Sequence, residues 1–174
     1  MDPKLVRLAY QVNQIFTEKT LKIATAESCT GGLLSHILTS VSGSSTYFLG
    51  GVVAYSNQIK EKMLGVQEHT FLRYGAVSAQ CAQEMADGVR VKFRADIGLS
   101  TTGIAGPTGG TPEKPVGLVF IAISTAEETK TFKYQFSGSR EEVKKGTVTE
   151  VLSYLIKHYQ PKKRDLERRD DDAE

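Results

Sequence analysis

Apolar and polar positions along this chain follow two different periods, and the switches between them outline its elements. Leu5, Leu8, Val12, Ile15 and Phe16 recur at three- and four-residue intervals, the spacing of one helix face. Asp2 offers an N-cap acceptor and Pro3 suits the first helical position, so the spacing predicts a helix from there to about Lys19. A short apolar strand over residues 21–26 follows and stops at Glu27, Ser28, Cys29, Thr30, Gly31 and Gly32. Leu33, Leu34, Ile37, Leu38 and Val41 then form the face of a second helix.

After the turn Gly43, Ser44, Ser45, residues 51–55 read as a buried strand, and Ser56 caps a helix from Asn57 to Leu64 that Gly65 ends. Ser78 caps another helix to about Phe93, with Met85 and Val89 facing inward, and residues 95–102 form the next strand. Residues 103–115 hold four glycines and three prolines, an irregular loop directly after a strand. Loops of that length inside a compact domain are usually functional. Residues 116–124 and 129–136 read as a hairpin, with Phe132, Tyr134 and Phe136 on one face. Ser139 and Glu142 have the spacing of a capping box for a last helix carrying Val143, Val151, Leu155 and Ile156.

Helices interspersed with strands predict an α/β fold, a single-domain three-layer α/β/α sandwich whose sheet the terminal hairpin makes mixed. Ligands of open α/β sheets bind beyond the carboxyl ends of the strands. The loops at 27–32, 55–60 and 103–110 all fall there, so one pocket is expected to collect them.

The chain of 174 residues suffices for one domain that needs no disulfide or metal to hold its core. A hydrophobic fraction of 40% and a charged fraction of 24% exclude a fibre or a wholly disordered chain. No run of about 18 apolar residues and no basic, then apolar, leader is present, so a soluble cytoplasmic protein without a membrane partner is expected. Cys29 and Cys81 lie in different kinds of segment, which argues against a disulfide. A net charge of +2 without a basic stripe argues against a nucleic-acid partner. The domain is expected over residues 1–160. The tail 161–174, with five basic and six acidic residues, is expected to be a disordered, solvated end.

Three stretches could carry chemistry. At the Glu27–Gly32 junction, free backbone amides and a positive helix end suit a phosphate or carboxylate, with the hydroxyls of Ser28 and Thr30 and the backbone of Gly31 sharing the anion. Such a turn equally uses glycine for close packing alone. The second stretch pairs Ser45 with Tyr55, Ser56 and Lys60. A serine hydroxyl needs a base, and in a chain without a serine–histidine pairing lysine is the candidate. Moving a lysine from about 10.4 to about 7.4 takes roughly 4 kcal/mol, more than the helix end after Ser56 can supply. Burial and the Tyr55 hydroxyl would have to contribute most, and by spacing alone Lys60 equally describes a solvated helix lysine like Lys62. Third, the glycines of 100–110 allow close approach of a ligand, with Thr102 and Gly103 at the strand end, but no triphosphate-binding motif is present. Arg140 suits a phosphate. His36, His69 and His158 lack ligand spacing, so neither a metal site nor a cofactor is expected.

The stretches TAESCTGG, GSS, YSNQIK, GAVS, TTGIAGPTGG and EKPVG, in this order, resemble the CinA C-terminal domain family over about Leu5 to Tyr159. Members of that competence/damage-inducible family include nicotinamide mononucleotide amidohydrolases. The resemblance implies deamidation of nicotinamide mononucleotide to nicotinic acid mononucleotide with release of ammonia, within pyridine nucleotide recycling. It implies Ser45 as nucleophile and Lys60 as base, with Ser28, Tyr55, Thr102 and Arg140 binding or polarising the substrate, in a homodimer. Longer members carry an additional N-terminal domain with pyrophosphatase activity toward ADP-ribose, which is not expected here. Two rivals stand beside this reading. Cys29, before a helix and next to Glu27, could serve as a cysteine nucleophile with lysine and a carboxylate. The domain could also bind a mononucleotide as a regulatory module without processing it.

Overall fold

The computed structural model describes residues 2–160, so the expectation for the tail lies outside the described residues. The chain runs α1 (Pro3–Lys19), β1 (Ile23–Glu27), α2 (Leu33–Thr39), a single 3-10 turn (Ser44–Thr46), β2 (Phe48–Val53), α3 (Asn57–Leu64), α4 (Glu68–Tyr74), α5 (Ala79–Phe93), β3 (Ile97–Gly103), β4 (Leu118–Ser124), β5 (Thr129–Gln135) and α6 (Arg140–Tyr159). Local signals set most of these ends. Asp2 accepts from Lys4 N, Ser56 from Ile59 N and Ser78 from Cys81 N. Ser139 and Glu142 form the reciprocal capping box at the start of α6. Gly65 closes α3 in the left-handed region, where glycine avoids a Cβ clash.

The five strands are ordered β2-β1-β3-β4-β5. β1 pairs in parallel with both β2 and β3, while β3–β4 and β4–β5 are antiparallel. The sheet is therefore mixed, and helices cover both of its faces. On one side α1, α2 and α6 bury Leu5, Phe16, Leu34, Leu38, Val151 and Leu155 against it. On the other, α5 lays Met85 and Val89 over β1, with α3 contributing Leu64. That contact is close: a Cβ at Gly98 of β3 would sit 2.1 Å from the carbonyl of Ala86, and one at Gly88 of α5 would sit 1.9 Å from that of Leu64. Only glycine lets α5 approach both neighbours so tightly. Among the described residues no helix is long and apolar enough to cross a membrane.

Two elements differ from the sequence pattern. The strand expected over residues 51–55 is β2, which begins at Phe48 and lies at the sheet edge, with alternate residues exposed. Its glycines and valines reflect packing against β1, where a Cβ at Gly51 would sit 2.0 Å from Thr25 Oγ1, rather than burial on both faces. α4 is an additional short helix with no side-chain cap at Gln67, and it buries only Thr70.

Candidate active site

β1 leads to β2 on one side, and the chain then crosses to β3 on the other, so the sheet has its switch point between the carboxyl ends of β1 and β3. Doubly wound sheets in this order bind ligands there. A cavity of about 280 Å³ opens at that point, bounded by Ser28 and Cys29 after β1, Tyr55, Asn57 and Lys60 around the start of α3, residues 102–106 at and beyond the end of β3, and Arg140. Larger hollows of about 500 and 520 Å³ lie away from it, beside β5 and α6 and beside α1 and α2.

Lys60 lines the cavity and is only 2% exposed. Its Nζ donates to Ser28 Oγ at 3.0 Å, to Ala54 O at 2.9 Å and to Tyr55 O at 3.4 Å. Burial pushes its pKa below the ordinary lysine value, because the ammonium loses hydration. Lys62, two residues on, is exposed. In the neutral amine two N–H groups suffice for the two carbonyls, which leaves the lone pair for the Ser28 hydroxyl. The Tyr55 hydroxyl takes no part in this: it accepts from Arg140 Nη2 at 2.6 Å, and Arg140 Nη1 donates to Gly106 O at 2.8 Å. Arg140 thus ties the tyrosine to the loop after β3, and it comes from the capped start of α6.

The structure does not bring Ser45 to Lys60. Ser45 is exposed on the 3-10 turn that precedes β2, where Tyr47 O accepts from Ile23 N at the amino end of β1. Lys60 lies past the carboxyl end of β2, and the six residues of that strand span roughly 17 Å at ~3.3 Å per residue. Ser28 occupies the place beside the lysine instead.

Thr30 and Gly31 also lie apart from the cavity. Thr30 is fully buried, its hydroxyl donating to Glu27 Oε2 at 2.6 Å and meeting Thr101 Oγ1 at 2.7 Å. The α2 N-terminus, expected to be free for an anion, is filled from within the chain. Glu27 accepts from Gly32 N at 3.0 Å, Leu34 N at 3.0 Å, Ser35 N at 2.8 Å and Ser35 Oγ at 2.6 Å. Its carboxylate is therefore committed to the helix rather than to Cys29. Cys29 lines the cavity, but burial pushes its thiol up to about 12, so it is held protonated. Thr102 lines the cavity, its hydroxyl donating to Ala76 O at 2.7 Å, and Gly103 is beside it.

Ala76 and Val77, from the GAVS stretch between α4 and α5, also line the cavity, as does Asn57. GAVS was visible as a motif, but nothing local says that this turn folds over the end of β3.

Fold and site together define an open α/β domain with a buried lysine–serine pair at its switch point. The CinA C-terminal domain family matches residues 5–159. A CinA-like protein of Thermotoga neapolitana is 48% identical over 147 residues, covering 84% of this chain and 36% of its own length. The crystal structure of competence/damage inducible protein CihA from Agrobacterium tumefaciens superposes with a TM-score of 0.87 at 40% identity, covering 90% of this chain and 96% of that one. A CinA superfamily protein from Escherichia coli superposes at 0.85 with 32% identity, covering 90% and 91%. This chain belongs to the CinA C-terminal domain family, and it spans just over a third of the length of the curated relatives it matches.

Proposed function

We propose that this domain hydrolyses the carboxamide of nicotinamide mononucleotide, giving nicotinic acid mononucleotide and ammonia, with Ser28 as nucleophile and Lys60 as base. The observation that carries the reading is the 3.0 Å contact between a buried lysine amine and a serine hydroxyl in the switch-point cavity. Buried lysines with lowered pKa values serve as general bases.

Ser28 Oγ attacks the carboxamide carbon, its proton passes to neutral Lys60 Nζ, and the carbonyl π pair moves onto oxygen. Collapse of the tetrahedral intermediate breaks the C–N bond, and the Lys60 ammonium returns its proton to the departing nitrogen, which leaves as ammonia. Water then attacks the acyl-serine with Lys60 again taking the proton, and the acid leaves as Ser28 recovers its hydrogen. The cavity volume of about 280 Å³ is at the small end of ligand sites and suits a mononucleotide better than a dinucleotide. Glu27 closes the α2 N-terminus to anions, so the substrate phosphate is directed to Arg140 and the loop beside Gly106.

The test is ammonia release from nicotinamide mononucleotide by the purified protein in EDTA, with Ser28→Ala and Lys60→Ala beside it. Turnover that survives chelation and disappears in both variants supports the reading. A well-folded parent that binds the mononucleotide without turnover would make the domain a binding module.

A further inference from the structure

We infer that the backbone N–H of Gly103 is the donor that holds the oxyanion when Ser28 attacks, a step that rests on the amide-hydrolysis reading above. The inference comes from the register of the sheet. In an antiparallel pair, alternate residues turn their N–H and C=O groups toward the partner strand. Ile104 N donates to Leu118 O at 2.9 Å, and Thr102 is in step with it, opposite Phe120, so both face β4. The residues between them face β1: Thr101 O accepts from Ser28 N at 2.9 Å. Gly103 is the next position in that series, so its N–H is directed to the β1 side, one step beyond Ser28.

There β1 has ended. In a continued parallel ladder the Gly103 N–H would donate to Ser28 O, but the chain has turned and Ser28 O accepts from Gly31 N at 3.1 Å. Among the described residues no acceptor meets the Gly103 N–H, and Gly103 lines the cavity with Ser28 and Lys60. Adjacent strands are ~4.8 Å apart, so an oxygen on a carbon bonded to Ser28 Oγ falls within reach of it. Ser28's own N–H is spent on Thr101 O and cannot serve. The donor is also held rigidly: a Cβ at Gly103 would meet Leu118 O at 2.6 Å and Val119 Cγ2 at 2.7 Å, so β4 packs directly against it. A donor fixed in advance, aimed where negative charge develops, is what such stabilisation requires.

The test replaces the Thr102–Gly103 amide by an ester, which removes this N–H and keeps the Thr102 carbonyl, as a weaker acceptor, facing Phe120 of β4. The full chain can be assembled by ligation at the native Cys81 and compared with an all-amide chain assembled in the same way. The expected result is a fall in kcat of about 100- to 1000-fold, with KM within about threefold and an unchanged far-ultraviolet dichroism spectrum. A kcat within about threefold of the all-amide chain overturns the inference. If the all-amide chain releases no ammonia from nicotinamide mononucleotide, the hydrolytic reading fails by itself. The Gly103 assignment is then decided by the ¹⁵N-glycine spectrum of the protein treated with pyridine-3-boronic acid. A downfield displacement of the Gly103 N–H on forming the Ser28 boronate supports it; an unmoved resonance, or no adduct, overturns it.

Discussion

Lys60 Nζ and Ser28 Oγ meet at 3.0 Å across 32 residues of sequence, because β1 and β2 run parallel and release their following segments at the same end of the sheet. Ser28 leaves β1 at that end, and Lys60 enters it from the first turn of α3. The same parallel pairing sends Ser45, which precedes β2, to the opposite end.

Alanine at the two serines should therefore give unlike results. Ser28→Ala should reduce ammonia release by at least about a thousandfold, as loss of a nucleophile does. Ser45→Ala should leave kcat within about twofold, since the residue is exposed and away from the cavity within one subunit. Equal losses in both would mean that Ser45 reaches a cavity belonging to a second copy of the chain.

The pH profile should report Lys60. Its neutral amine is the active form, and burial lowers its pKa, so kcat/KM should rise with pH and level off with a midpoint below the ordinary 10.5. The sign follows from desolvation, which penalises the ammonium and leaves more base available as protons are withdrawn. Residual activity in Lys60→Ala should lack this rise. A midpoint at or above 10.5 would remove Lys60 from the role of base.

Cys29 should be inert. A thiol held near 12 carries almost no thiolate at pH 8, so iodoacetamide should modify it slowly, and Cys29→Ala should keep most of the turnover. Parallel loss of activity and labelling of Cys29 at neutral pH would restore the cysteine mechanism.

Glu27→Gln should destabilise the fold by about 2–4 kcal/mol in urea titration, since the amide nitrogen would face backbone donors that now meet a carboxylate oxygen. Residual activity should fall as well, because this carboxylate holds the loop that carries Ser28. A change in stability below about 0.5 kcal/mol would show that the α2 N-terminus does not depend on it.

Arg140→Ala should raise KM for nicotinamide mononucleotide about 10- to 100-fold, the loss of a charged hydrogen bond. KM for nicotinamide riboside, which lacks the phosphate, should move little. An equal rise for both would place Arg140 in the support of Tyr55 and the Gly106 loop rather than in phosphate binding.

The elements whose limits are local chemistry were legible before any fold was known. Asp2, Ser56, Ser78 and the Ser139–Glu142 pair each satisfy backbone groups within four residues of themselves, so the sequence by itself determined where α1, α3, α5 and α6 begin. The alternation of helix and strand likewise determined the three layers, and the glycine-rich run after β3 marked a loop that lines the cavity. Strand order is different in kind, because parallel neighbours are chosen by helices packing on the sheet and not by residues near the strand. Only the tertiary structure decided that β2 takes the edge, that Ser28 rather than Ser45 meets Lys60, and that Glu27 fills the helix end that looked open to a phosphate. It also decided the surroundings of Lys60: the same residue in the same first turn of helix keeps an ordinary lysine pKa in solvent and a lowered one when packing desolvates it, and burial depends on the whole chain.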